Sequence, residues 1–130
     1  MPRMLAVVGL ALIALVLGAC LPGAGGKEIT RADNGKTVEV ARGSEVKVVL
    51  ESNPTTGYSW QVKEVDTAIL KQVGEAQFKA DSSAIGAGGK ETFTFNAASV
   101  GQTTLKMEYR RPWETDAPAA ESFTVTVVVK

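Results

Sequence analysis

From Glu45 to the end of the chain, apolar and polar residues alternate one by one in short runs, with turn-forming residues between the runs. A period of two sends successive side chains to opposite faces of a pleated strand, so each run is a strand with one face to bury. Val46, Val48 and Leu50 oppose Lys47, Val49 and Glu51; Phe93 and Phe95 oppose Thr92 and Thr94. Leu105, Met107 and Tyr109 oppose Lys106, Glu108 and Arg110, and Phe123, Val125, Val127 and Val129 close the chain. Nothing after Glu28 repeats with a helical period. The pattern predicts an all-β domain. Its strands are expected at Thr37–Val40, Glu45–Glu51, Tyr58–Val62, Val73–Phe78 (broken by Gly74), Glu91–Ala97, Gly101–Tyr109 and Phe123–Val129, with Asp66–Gln72 irregular. Asn34-Gly35 is the pair favoured in a tight hairpin turn leading into the first of them. About seven strands in 130 residues fit one antiparallel β-sandwich of the immunoglobulin-like kind.

The first residues belong to a different class of segment. Arg3 precedes an apolar run from Leu5 to Leu17 that ends at Gly18-Ala19-Cys20. This run is short of the roughly 20 residues a membrane-spanning helix needs, and small residues close it, as in a secretory signal peptide. Cys20, the only cysteine, follows Leu-Gly-Ala as in a bacterial lipobox. The expected organisation is a lipoprotein signal peptide over 1–19, a lipidated Cys20 with a flexible tether over 20–27, and the folded domain over 28–130. Such a chain is exported and lipid-anchored to the cell envelope. Leu21 after the cysteine, rather than aspartate, resembles outer-membrane sorting in a Gram-negative host.

Composition removes several functions. Taking away Arg3 with the leader leaves 13 of 14 basic residues against 14 acidic ones, a net charge of −1, and the basic residues are scattered. Nucleic acid is not an expected partner. The chain has no histidine, which excludes a histidine-based serine or cysteine hydrolase and the usual zinc sites. Glu64, Asp66 and Glu75 form no recognisable acid pair. No enzyme activity, metal or cofactor is expected.

Three stretches between strands carry binding chemistry instead. In Asn53-Pro54-Thr55-Thr56-Gly57-Tyr58, proline fixes its own φ and pushes Asn53 to an extended conformation, glycine permits a positive φ, and the threonines have few rotamers. Such a loop loses little entropy when a partner immobilises it. Gly86-Ala87-Gly88-Gly89 lets a partner approach the backbone closely but lacks the helix and lysine of a phosphate loop. Arg111-Pro112-Trp113 places two residue types that often dominate interface energy beside a proline. Trp60, within a strand, is expected in the core, and Arg110 is expected to be solvated. Because alternate connections of an antiparallel sandwich leave from the same end, the three stretches should share one surface.

In their order and spacing these motifs resemble the chagasin family, over about Thr37 to Lys130. Tyr58 stands where some members have phenylalanine. The resemblance implies a tight, reversible inhibitor of papain-family cysteine proteases that occludes the active-site cleft with three loops. It places Thr55 next to the protease's catalytic cysteine, with Asn53, Pro54, Thr56, Gly57 and Tyr58 shaping the turn. It places Gly86, Gly88 and Gly89 along one side of the cleft and Arg111, Pro112 and Trp113 on the other. The competing expectation is a non-inhibitory envelope lipoprotein that uses the same sandwich for protein binding or assembly.

Overall fold

The computed structural model describes residues 26–114 and 116–130. Cys20, the signal peptide and most of the expected tether therefore lie outside the described residues. Among those described, nine strands form: β1 (Lys27–Thr30), β2 (Thr37–Val40), β3 (Glu45–Ser52), β4 (Ser59–Glu64), β5 (Leu70–Gln72), β6 (Gln77–Ala80), β7 (Gly89–Ala97), β8 (Gly101–Arg110) and β9 (Glu121–Val129). They make two packed sheets. One runs β1-β3-β7-β5 with β6 also on β7, and the other runs β2-β9-β8-β4. The all-β sandwich expected from alternation is the observed architecture.

The alternation also locates the core. Val46, Val48 and Leu50 of β3, Phe93 and Phe95 of β7, Leu105 and Met107 of β8, and the β9 stripe from Phe123 to Val129 are all buried between the sheets. Each fully buried side chain of this size contributes about 1.5–3 kcal/mol relative to exposure. With no disulfide available in a chain of one cysteine, this burial and the sheet hydrogen bonds hold the layers.

Three local expectations are corrected. The Asn34-Gly35 turn is not a hairpin, because β1 pairs in parallel with β3 while β2 pairs in parallel with β9 in the other sheet. A short 3-10 turn at Arg31–Asp33 makes the crossing, closed by a reciprocal cap in which Asp33 accepts the Thr30 N–H at 2.9 Å. Gly35, at φ 81°, sits in the positive-φ position that an Asn-Gly turn requires. Next, Leu70–Gln72 is a strand rather than irregular, because Leu70 is fully buried and pairs with Ala97 of β7. Finally, the strand expected at Val73–Phe78 is displaced to Gln77–Ala80. Gly74, at φ 69°, kinks the chain between β5 and β6, which pair with successive parts of the same β7 neighbour.

The direction of the strands decides where the loops emerge. β3, β6 and β8 all run toward one pole, so the connections β3–β4, β6–β7 and β8–β9 leave from it. β1 runs parallel to β3 with Lys27 level with Val46, so the domain's first strand starts at the opposite pole.

Candidate functional site

The β3–β4 connection folds as a 3-10 turn over Pro54–Thr56, with Asn53 as its N-cap and Gly57 as its C-cap at φ 88°. Proline at the first position needs no N–H partner there, and Asn53 supplies the cap through its side chain. Its Oδ1 accepts the Thr55 N–H at 3.2 Å and the Thr55 hydroxyl at 2.5 Å. The Asn53 carbonyl accepts the Thr56 N–H at 3.1 Å and the Thr56 hydroxyl at 2.6 Å, and the Pro54 carbonyl accepts the Gly57 N–H at 2.9 Å. Pro54, Thr55 and Thr56 are nevertheless exposed. The result is a protruding turn whose polar groups are largely spent on one another.

Neighbouring elements hold this turn from below and from both sides. Below, the Asn53 N–H donates to the Tyr109 hydroxyl at 2.9 Å. On one side, Asn53 Nδ2 donates to the Gly86 carbonyl at 3.2 Å. On the other, Arg111 Nε donates to the Thr56 carbonyl at 3.1 Å, and the Trp113 ring lies so close to Gly57 that a β-carbon there would overlap it. Gly57 is thus fixed as glycine twice, by its positive φ and by the indole.

Arg111 also begins a column that descends into the core. Its guanidinium lies 4.6 Å from the Tyr58 ring centre; Tyr58 stacks on Tyr109 at 5.3 Å, and Tyr109 meets Trp60 at 5.1 Å. Aromatic pairs at these separations are worth about 0.5–1.5 kcal/mol each beyond area burial. At the foot of the column Trp60 is 4% exposed and donates its indole N–H to the Glu51 carbonyl at 2.9 Å. Trp60 is therefore a core residue, as expected, and also a foundation of the first loop.

The structure brings together residues from all three sequence motifs, though with different environments. Gly86, at φ 79°, is exposed with open space around it, whereas Gly88 lies beside the Ser52 carbonyl and Asn53. Gly89 is buried as the first residue of β7, where the Lys79 and Ala80 backbone leaves no room for a β-carbon. Pro112 is exposed, and Trp113, at 67% exposure, keeps most of its indole free although its edge touches Gly57.

Arg110 corrects an expectation: it is not a solvated charge. Its side chain is largely covered, pairs with Glu108 at 3.1 Å and donates to the Glu114 carbonyl at 3.3 Å, which holds the start of the third loop. Two further supports, Tyr109 and Glu91, escape a reading of sequence alone. The signal for each is present, since Tyr109 ends a buried stripe with a hydroxyl at the loop pole and Glu91 is an acid in register with Phe93 and Phe95. What alternation lacks is the partner that satisfies each polar atom.

A two-sheet sandwich presenting three loops at one pole, with the second and third each tied to the first, defines a protein-binding module. The pattern of the Chagasin family peptidase inhibitor I42 matches residues 39–127. Chagasin of Trypanosoma cruzi is 37% identical over 102 residues, covering 75% of this chain and 93% of its own. Amoebiasin-1 of Entamoeba histolytica is 33% identical over 104 residues, covering 78% and 95% respectively. Among solved structures, the cysteine protease inhibitor EhICP2 from Entamoeba histolytica superposes with a TM-score of 0.69 at 27% identity, covering 80% of this chain and 94% of that one. The chain belongs to the chagasin family and is an inhibitor of papain-like cysteine proteases, not an enzyme.

Proposed function

We propose that the three-loop pole is the inhibitory edge, with the Asn53–Tyr58 turn entering the protease cleft and the loops carrying Gly86 to Gly89 and Arg111 to Trp113 lying on either side. The observation that carries this reading is the engagement of three of the turn's carbonyls. The carbonyls of Asn53, Pro54 and Thr56 already accept hydrogen bonds from within the domain. A papain-type enzyme attacks an extended substrate whose scissile carbonyl faces the thiolate in near-attack geometry. A tight turn with these carbonyls engaged fills the cleft without offering that alignment. Thr55, at the exposed crest, is the residue placed against the catalytic cysteine. Because the turn is already built, little ordering entropy opposes association, and three loops suffice for an ordinary interface of about 800 Å² per partner.

The test is a titration of active papain with residues 26–130, following hydrolysis of a fluorogenic peptide. Stoichiometric, reversible loss of activity is expected. Full activity at micromolar folded domain overturns the reading for papain itself and leaves either a narrow specificity for another cysteine protease or a family fold turned to envelope binding.

We also propose that Cys20 is lipidated and anchors the inhibitor to the cell envelope. Supporting this is the start of β1 at the pole opposite the loops, so a tether entering there leaves the inhibitory edge facing away from the membrane. Mass spectrometry of the mature N-terminus should find an acylated cysteine, and Cys20→Ser should release the protein from the membrane fraction. An unmodified N-terminus on a soluble protein overturns the proposal.

A further inference from the structure

The first loop crosses from one sheet to the other, since β3 and β4 belong to different layers. Nothing in strand pairing fixes the separation of its two roots, Ser52 and Trp60. Two side chains do: the Trp60 indole N–H, which reaches the Glu51 carbonyl of β3, and Glu91, which holds both roots at once. Glu91 of β7 points into the sandwich, in register with Leu50 on one side and Phe78 on the other, and is only 7% exposed. Its Oε1 accepts the Ser52 hydroxyl at 2.7 Å and the Trp60 backbone N–H at 3.1 Å. A single carboxylate oxygen thus holds the last residue of β3 and the second residue of β4, one from each sheet. Trp60 is on β4, an edge strand of its sheet, so an N–H turned away from β8 has no neighbouring strand to accept it. Ser52 is likewise buried, at 6% exposure.

A carboxylate is an expensive way to fill such a position. Burying one is unfavourable unless its oxygens are hydrogen-bonded, and an apolar side chain would suit the Phe93 and Phe95 stripe better for stability alone. What the carboxylate supplies is an acceptor that can serve two donors at once, with the stronger bonds of a charged group. We infer that Glu91 is a positioning residue for inhibition: it staples the two roots of the Asn53–Tyr58 turn so that the turn keeps its non-cleavable shape under the pull of the protease cleft. The inference rests on the inhibitory reading of that turn. When the staple is lost, the bond from the Trp60 indole to the Glu51 carbonyl is left to hold the roots, the turn samples extended conformations more often, and a carbonyl between Asn53 and Tyr58 reaches the thiolate. The inhibitor then binds less tightly and becomes a substrate.

Three variants of the protein separate this role from ordinary core support. Glu91→Gln keeps length and one acceptor oxygen, Glu91→Met keeps length without an oxygen acceptor, and Ser52→Ala removes one of the two bonds. Each is titrated against papain, with folding checked by thermal unfolding, chain integrity followed by mass spectrometry, and exchange of the Trp60 amide followed by NMR. Relative to wild type, Glu91→Met should inhibit at least tenfold more weakly, exchange the Trp60 amide at least tenfold faster, and be cut between residues 53 and 58 on prolonged incubation. Glu91→Gln should stay within about threefold, stay uncut and exchange slowly, whatever its change in melting temperature, and Ser52→Ala should fall between.

A folded Glu91→Met that inhibits like wild type and remains intact overturns the inference, even if it melts earlier. If Glu91→Met does not fold, Ser52→Ala decides: inhibition equal to wild type overturns it, and a loss of threefold or more with cutting in the loop supports it. Wild-type protein that leaves papain fully active would instead overturn the reading of the turn as a papain inhibitor, on which the inference stands, and the amide exchange would still show whether Glu91 holds the loop roots.

Discussion

The first and second loops at the inhibitory pole both turn on a glycine with positive φ, Gly57 at 88° and Gly86 at 79°. Their surroundings differ completely. A β-carbon at Gly57 would strike the Trp113 ring, whereas one at Gly86 would meet nothing within 4 Å. The first loop is bonded internally, tied to Tyr109, Gly86 and Arg111, and founded on Trp60 and Glu91. The second, between Asp81 and Gly88, carries Ile85 fully exposed. It is held at its base by the Asp81 N–H on the Gly88 carbonyl at 3.0 Å, by Lys90 reaching Asp81 at 3.2 Å, and by Asn53 bonding Gly86. A positive φ thus sits in a closely packed turn in one loop and in a more open one in the other, where Ala87 bonds Ala84 and Ala84 bonds Ser82 but no side chain packs on the glycine. On the proposed reading, pre-organisation is concentrated in the turn that would otherwise be cleaved, and adaptability lies in the flank, where proteases can differ in cleft shape.

If that contrast is right, damage beneath the first loop should be the most severe. Trp60→Ala removes the foot of the aromatic column and a core side chain together. It should destabilise the domain by roughly 3–5 kcal/mol, as large aromatic truncations in cores do. Urea unfolding measures this directly. A loss below about 1 kcal/mol would mean that the column contributes little and that the first loop is not better founded than the second.

Gly57→Ala comes next. Its β-carbon imposes left-handed strain of about 1–2 kcal/mol and also displaces the Trp113 indole. Inhibition of papain should weaken by about a hundredfold, equivalent to about 2.8 kcal/mol at tenfold per 1.4 kcal/mol. Melting temperature should also fall, by roughly 4–8 °C for each kcal/mol of strain the braced loop cannot shed. Trp113→Ala follows at about 2 kcal/mol of binding, the value of a typical aromatic hot spot. Because the residues touch, their effects should not add: in the Trp113→Ala background, Gly57→Ala should lose the part of its penalty that comes from the indole. Strict additivity in that double-mutant cycle would show that Trp113 braces nothing and acts on the protease alone.

Much of this arrangement is legible in the amino-acid sequence. Period-two alternation in β3, β7, β8 and β9 locates the core, since a strand with one buried face must show it in sequence. Convergence of the three loops follows from strand direction. The short pieces β1, β5 and β6 are less legible. β1 and β6 do not alternate cleanly in burial and β5 has only three residues, unlike four-residue β2, so their pairing is settled by the neighbour: β1 by β3, β5 and β6 by β7. At the site, Pro54 and Gly57 announce the turn because their backbone restrictions are intrinsic. Arg111 and Glu91 are harder to read because their roles are relational. In sequence Arg111 reads as a partner-facing charge, and its bond to the Thr56 carbonyl and its position over Tyr58 depend on two distant loops meeting. No local pattern specifies a contact between residues 55 positions apart.

The smallest expected effect is the sharpest test of the contrast. Gly86→Ala carries the same intrinsic penalty as Gly57→Ala, about 1–2 kcal/mol if the loop keeps its shape, yet a loop whose glycine is not packed against a side chain need not keep it. With space around Gly86, the Asp81–Gly88 segment can relax to a negative φ and shed most of that strain. The melting temperature should hardly move, and papain inhibition should weaken by about fivefold or less. That residual arises because relaxation costs the Asn53 bond to the Gly86 carbonyl, a neutral and exposed interaction worth about 0.5–1.5 kcal/mol. Asn53→Ala would lose the same bond, but it would also strip the first turn of its cap, so it should inhibit distinctly more weakly than Gly86→Ala. Should Gly86→Ala match Gly57→Ala in inhibition, the second loop is as rigidly specified as the first, and rigidity in this domain belongs to the whole pole rather than to the wedge that enters the cleft.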